Sequence, residues 1–266
     1  MHTTTRRNVA VLLLAALGCI GCGASKYEER LAATSTYFRY KEKLDSNLQE
    51  IFHDEATGIQ IRPPRGFDRI PAPKATEGPD GELLIPELDD RQPPFFLEEL
   101  PGMIAAWRTE VRAVVDSDAQ TSTAYFYVLS SLGPAADGSD GSFRNQVLDQ
   151  LNRELGMDLK AGSLNEVAYP ANSQIGFVPQ VVYFERSFVP EPLIDDLSME
   201  FAVYFHDAVD ETVCVMTIYP KNVAGLNELK DKIELSLQTL AIKAVKSDGG
   251  GGSSGDGEKP KRSGGL

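Results

Sequence analysis

Five extended runs between residues 107 and 219 constrain the fold of this chain more than any other feature. Residues 107–115 alternate, placing Trp107, Val111, Ala113 and Val115 on one face and Arg108, Glu110 and Arg112 on the other. Residues 123–132 form a β-branched and aromatic run through Tyr125, Phe126, Tyr127, Val128 and Leu129. Residues 181–189 read as a further strand. Residues 199–206 alternate with Met199, Phe201, Val203 and Phe205 inward, and 211–219 follow after Asp207-Ala208-Val209-Asp210, which reads as a tight hairpin. Half-solvated alternation of this kind belongs to antiparallel sheets rather than parallel ones. Shorter extended pieces at 59–62 and 67–70, separated by the Pro63-Pro64-Arg65-Gly66 turn, bring the expected sheet to about six to seven strands.

Two amphipathic helices accompany the strands. Phe143, Val147, Leu151 and Leu155 recur every four residues, with Ser142 as the expected N-cap and Gly156 as the stop. Leu226, Leu229, Ile233, Leu237 and Leu240 mark a second, capped by Asn222. Each carries one apolar stripe, the pattern of a helix laid on a sheet. The fold class is therefore α+β, with a globular body over 58–244. A long N-terminal helix over 25–54 precedes it. There Tyr27, Leu31, Thr34, Phe38, Lys41, Asp45, Leu48 and Phe52 fall at alternating steps of four and three, and Ser25 with Glu28 fits a capping box. Thr34, Lys41 and Asp45 interrupt the stripe, so the helix is expected to pack on its own domain. A stalk or oligomerising helix is the alternative.

The two ends lie outside the fold. Residues 1–18 resemble a secretory signal peptide, with Arg6 and Arg7 before the apolar run 9–17. That run is too short to span a bilayer. Gly18-Cys19-Ile20-Gly21-Cys22 follows and resembles a bacterial lipobox, which implies acylation of Cys19, with Cys22 as the alternative. Residues 247–266 are rich in Gly and Ser, with Lys259, Lys261 and Arg262 near the end, and read as a disordered tail. The formal net charge of −13 would repel a phosphate backbone, so nucleic acid is a poor partner. Of the three cysteines only Cys214 lies in the body, within an apolar run, so it is expected to be a buried small hydrophobe.

Between residues 71 and 102 seven prolines exclude a helix or a central strand. The apolar part of this loop, Pro93-Pro94-Phe95-Phe96-Leu97, is expected to clip onto the core, or else to be displayed to a partner. Catalytic, cofactor and metal motifs are not found. His53 is expected at a helix C-terminus and His206, beside Asp207, in a solvated turn. Asp137-Gly138-Ser139-Asp140-Gly141 reads as a turn before a helix rather than a calcium loop. Asp89-Asp90 and Asp195-Asp196 are adjacent loop carboxylates. No phosphate-binding glycine loop or nucleophile elbow occurs.

The run Gly58-Ile59-Gln60-Ile61-Arg62-Pro63-Pro64-Arg65-Gly66-Phe67 resembles the opening hairpin of the PsbP-like fold. The order of strands, mid-chain helix and closing amphipathic helix over 58–242 is similar to that fold as well. Photosystem extrinsic subunits, Ran-binding proteins and small DcrB-like envelope lipoproteins share it, and they share no activity, so the resemblance implies architecture alone. The expectation is an exported, lipid-anchored protein facing the periplasm or cell exterior. It is held at the membrane by N-terminal acyl groups, works without cofactor or catalysis, and binds an unknown envelope partner. A small-molecule or lipid carrier with a pocket between sheet and helix is the alternative, and a hydrolase the third choice.

Overall fold

The computed structural model describes residues 3–74, 76–77, 80, 83–84, 89–115, 118–136, 140–170, 182–189, 193–194 and 197–243. For 3–24 and several element ends it describes the backbone only. The first element is a single helix, α1 (Thr3–Asn47). Then come the short strands β1 (Phe52–His53), β2 (Ile59–Ile61), β3 (Asp68–Ile70), β4 (Thr76–Glu77) and β5 (Leu83–Leu84). The long hairpin β6 (Met103–Val115) and β7 (Asp118–Ser130) leads to α2 (Asp140–Leu155). After it run β8 (Asn165–Tyr169), β9 (Val182–Val189), β10 (Leu193–Ile194), β11 (Leu197–Asp207) and β12 (Thr212–Pro220). Helix α3 (Leu226–Leu237) and β13 (Ala241–Ile242) close the described chain.

The main sheet is antiparallel, in the order β3-β6-β7-β12-β11-β9-β8, with β10 paired to β11. A small sheet, β1-β2-β13, lies apart from it, and β4 pairs only with β5. The described residues of the proline-rich segment thus contribute no strand to the main sheet. The two pieces expected to flank the Pro63–Gly66 turn, β2 and β3, belong to different sheets.

Each face of the main sheet has its own core. On one, Trp107, Phe126, Val128, Phe184, Tyr204 and Val215 meet Leu229, Ile233 and Leu237 of α3 and Ile59 and Ile61 of the small sheet. Trp107 is 2% exposed and meets Phe52 and Phe126 edge-on, with ring centroids 5.2 and 5.8 Å away. On the other face Tyr127, Leu129, Phe201, Val203, Phe205, Cys214 and Met216 meet Phe143, Val147 and Leu151 of α2. Half-solvated strands were expected, but every residue of β12 is buried. Met199, Phe201, Val203 and Phe205 do point to the α2 side, while Ala202 and Tyr204 are buried under the opposite face. Alternation survives in β9, where exposed Tyr183 lies between buried Val182 and Phe184, and where the β6–β7 hairpin outruns these covering layers. There Arg108, Glu110 and Arg112 are exposed.

Four expected boundaries move. Helix α1 runs from Thr3 to Asn47 instead of over 25–54, so both of its ends move. Leu48 turns into the core and bridges to Pro64, and Phe52 pairs with Ile61, which places its ring on Trp107. Burying Leu48 and half-burying Phe52 outweighs one or two further helical turns. His53 accordingly sits in β1 rather than at a helix end. Helix α2 begins at Asp140, so Ser142 lies inside it; Gly156, at φ +65°, is the stop. Helix α3 begins after Gly225 (φ +81°), not Asn222. The Asn222 carbonyl instead accepts from Val114 N at 2.9 Å and so covers the free edge of β6.

Candidate functional site

The base of α1 is fastened to the body by the Arg62–Arg65 turn. Arg65 donates from its side chain to Asp45 O at 2.7 Å and from its backbone to Asn47 O at 2.8 Å, satisfying carbonyls that the helix end leaves free. Arg62 ion-pairs with Asp45 at 2.9 Å and donates to Gln49 O at 2.7 Å. Both cations lie at the negative end of the helix dipole. Tyr40 reaches Gln238 beyond α3 at 3.3 Å.

Above that base the helix stands clear of the body. Residues 25–35 are exposed throughout, and so are Tyr37, Phe38 and Arg39. Tyr27, Leu31 and Phe38 are 67, 56 and 60% exposed. The expectation that this helix packs on its own domain therefore holds only for its last turns. Cys19 and Cys22 lie further up α1, where the backbone alone is described. Among the described residues no helix is long and apolar enough to cross a membrane.

The Pro93–Leu97 segment divides in two. Pro93 is buried, and Phe95 and Phe96 are half-buried against the α2 face, with Phe95 edge-on to Phe201 at 6.0 Å. Phe96 N donates to Pro93 O at 3.0 Å, and Leu97 N and Glu98 N each donate to the Glu154 carboxylate at 2.9 Å. Pro94 and Leu97 face outward, Leu97 at 92% exposure. Pro94 and Phe95 also wall a shallow 250 Å3 depression with Thr121, Thr123, Tyr125 and Met199.

Two other concavities hold ionisable groups. The gap between α3 and the sheet is a slot of only 50 Å3, lined by Arg186, Glu200, Tyr204, Tyr219, Lys230 and Glu234. Glu200 accepts from Tyr219 Oη at 2.5 Å and Lys230 Nζ at 2.9 Å, and Arg186 donates to the neighbouring Tyr169 Oη at 3.2 Å. Burial, with Asp231 close by, pushes Glu234 above the usual carboxylate range, and burial pushes the Tyr204 and Tyr219 phenols well up. The slot has room for a water or two and works as a polar lock on α3.

The larger cavity, 410 Å3, lies where the β11–β12 turn, the chain after β7 and the end of the small sheet meet. Thr57, Leu132, Ala208, Val209, Glu211 and Ile242 line it, with Asp210 and Lys243. Glu211 is 3% exposed and its carboxylate accepts from Ser130 Oγ. Burial raises its pKa, and Asp54 pushes the same way against the lowering effect of Ser130. Asp54 is itself held by Thr57, whose N and Oγ1 donate at 3.0 and 2.8 Å. No sequence motif marks this cavity. Its residues come from four separate segments, and the only signal was the hairpin reading of 207–210.

The remaining sequence candidates are dispersed. His206 lies in β11 rather than in a turn; its Nδ1 donates to Tyr183 O at 2.9 Å and its ring lies 5.6 Å from Phe184. Asp207 takes Arg144 at 2.7 Å and Thr212 Oγ1 at 3.0 Å instead of the histidine. Asp89 forms a nearly buried ion pair with Arg91 at 2.6 Å. Cys214 is fully buried, which drives its thiol pKa well up. Asp137, Asp195, Asp196 and the 247–266 tail lie outside the described residues. Among the described residues no three His, Cys, Asp or Glu side chains are placed to hold a metal ion.

No protein-family model matches the chain, and no curated protein matches it. A structure from Bacteroides thetaiotaomicron VPI-5482, solved at 1.50 Å, is similar over 73% of this chain at 8% identity and a TM-score of 0.34. The chain covers 48% of that protein's length. A likeness at that level carries no argument for fold or function.

Proposed function

We propose that this is a lipid-anchored cell-envelope protein that works by binding rather than by catalysis, with α1 as a stalk between the acylated cysteine and the body. The observation that carries the reading is the exposed apolar stripe of Tyr27, Leu31 and Phe38 on a helix whose described hydrogen bonds to the body lie at its base. A helix that merely completed the domain's core would bury those side chains. From Cys19 to Asn47 the helix measures about 40 Å, enough to hold the body off a bilayer surface. The stripe is then the surface offered to an envelope partner or to a second copy, with Leu97 as a secondary contact. The body's order of strands and helices is the basis for grouping it with PsbP-like domains. The 50 Å3 slot beneath α3 leaves little room for cargo, which favours surface binding over carriage between sheet and helix. Glu200, Tyr219 and Lys230 in that slot are paired with one another, which likewise speaks against hydrolysis there.

Two measurements on the chain expressed in a bacterial host test this. Metabolic labelling with an alkyne fatty acid is expected to tag the protein in the membrane fraction and to lose the tag in Cys19→Ser; retention there and loss in Cys22→Ser moves the anchor by one turn. A photo-crosslinking residue at Leu31 is expected to give a discrete adduct, absent when the same group replaces exposed Glu110. An unlabelled, fully soluble protein would overturn the anchor. Equal adducts from both positions would overturn the stripe as a binding surface.

A further inference from the structure

We propose that the 410 Å3 cavity beside Glu211 binds a small ligand with an apolar body and a protonated amine head. This inference is independent of the stalk: it concerns the part of the body formed by the β11–β12 turn and the β7 exit, and it needs no acyl anchor.

The volume falls within the range of small-molecule sites, roughly 300–1,000 Å3. The walls are apolar, from Leu132, Ala208, Val209 and Ile242. Leu132 and Val209 are 54 and 92% exposed, so two aliphatic side chains at one opening lack the neighbours that usually cover them. A ligand's hydrocarbon portion supplies those neighbours.

The head group follows from the carboxylate. Glu211 is almost fully buried, yet among the described residues only one of its oxygens has a donor: Ser130 Oγ donates to Oε1. Ser130 is fixed in turn, since its Oγ accepts from Leu132 N at 2.9 Å. Oε2 has no donor among the described residues, and it is not among the buried polar atoms sealed from solvent. Burying a carboxylate half-satisfied is costly unless a cation or donor completes it. Asp54 lies close enough to act electrostatically on Glu211, and Asp210 stands at the same cavity, with Lys243 as the opposing cation. The field therefore favours a cation over an anion. An ammonium supplies both charge and N–H donors to the free oxygen. Thr57 is already committed to Asp54 through its hydroxyl, and Lys243, though it lines the cavity, makes no ion pair with Glu211 among the described contacts, so the free oxygen remains open to a ligand's donor.

The test is a methyl-detected NMR titration of the full chain with three probes of one tail length: n-hexylamine, 1-hexanol and hexanoate. Hexylamine is expected to shift the Leu132, Ala208, Val209 and Ile242 methyls saturably, hexanol to do so more weakly, and hexanoate not at all. Glu211→Gln is expected to weaken hexylamine at least tenfold and to leave hexanol unchanged. Ala208→Phe, which fills the space, is expected to abolish both. If Glu211→Gln disturbs the spectrum as a whole, Ala208→Phe and the three-probe order still decide the matter. The proposal is overturned if hexanoate matches hexylamine, if Glu211→Gln binds the amine as tightly as the parent, or if no probe shifts these methyls saturably.

Discussion

Replacing Gly102 with Ala should destabilise the body more than the equivalent change at Gly66, for reasons visible at each position. Gly102 opens β6 at φ +71°, its N donating to Pro134 O at 2.7 Å and its O accepting from Ser130 N at 2.8 Å. A Cβ there would lie 2.1 Å from Ser130 O, 3.0 Å from Ser130 C and 2.7 Å from Phe143 Cε2. Two of these three atoms are backbone in the neighbouring strand, and the third belongs to a fully buried ring. None can swing aside. The left-handed conformation costs a non-glycine residue about 1 kcal/mol, and forcing extra volume into a packed site adds about 1–3 kcal/mol. Gly66, at φ +94°, has nothing within 4 Å of its Cβ position, so only the conformational part applies. For a domain of this size each kcal/mol moves Tm by roughly 2–4 °C. Gly102→Ala, at about 2–4 kcal/mol in total, should therefore lose roughly 4–16 °C and Gly66→Ala roughly 2–4 °C. Thermal and urea unfolding of the full chain can be followed by circular dichroism and by the emission of Trp107, the only tryptophan, which is buried in the native state. Equal losses in the two variants would refute the steric part of the reasoning, and no loss at Gly102 would refute all of it.

Three further outcomes follow from other parts of the structure. Phe95→Ala should cost about 2 kcal/mol, because the half-buried ring leaves a gap against Phe201, whereas Leu97→Ser should stay within about 0.5 kcal/mol, both read by urea denaturation. Burial raises the folded-state pKa of Glu211, so the folded protein holds this proton more tightly than the unfolded chain, and its ionised form disfavours folding at neutral pH. Glu211→Gln should thus be more stable than the parent at pH 7, with the gain shrinking as pH falls through the folded pKa toward the unfolded value near 4; a pH-independent difference would contradict this. With Cys19 and Cys22 changed to Ser, Ellman's reagent should label no thiol in the native protein and one per chain in guanidinium, because Cys214 is sealed in the α2-side core.

Strands were legible because alternation is local. Met199, Phe201, Val203 and Phe205 share a face in any strand, and the Asp207–Asp210 hairpin left no other way to pair β11 with β12. Caps were less legible. Ser142 and Asn222 are good capping residues by type, but Asn222 is used by the free edge of β6, a partner more than a hundred residues earlier in the chain. The α1 terminus failed for the same reason. Leu48 and Phe52 continue a helical stripe in sequence, yet the body offers them deeper burial than the helix does. The Glu211 cavity had no sequence signature, since Asp54, Thr57, Ser130, Glu211 and Ile242 are unremarkable until folding brings them together.

The amino-acid order alone determined the α+β class, the antiparallel pairing of the central strands, the exclusion of the described part of 71–102 from the main sheet and the inert placement of Cys214. Each of these depends on the periodicity, stereochemistry or composition of a few consecutive residues. Only the tertiary structure decided that both faces of the sheet are covered, that α1 docks by its last turns and leaves Tyr27, Leu31 and Phe38 free, and that one half-paired carboxylate lines an apolar cavity. Those features depend on which distant surfaces bury the most apolar area together, and no local window of the chain contains that comparison.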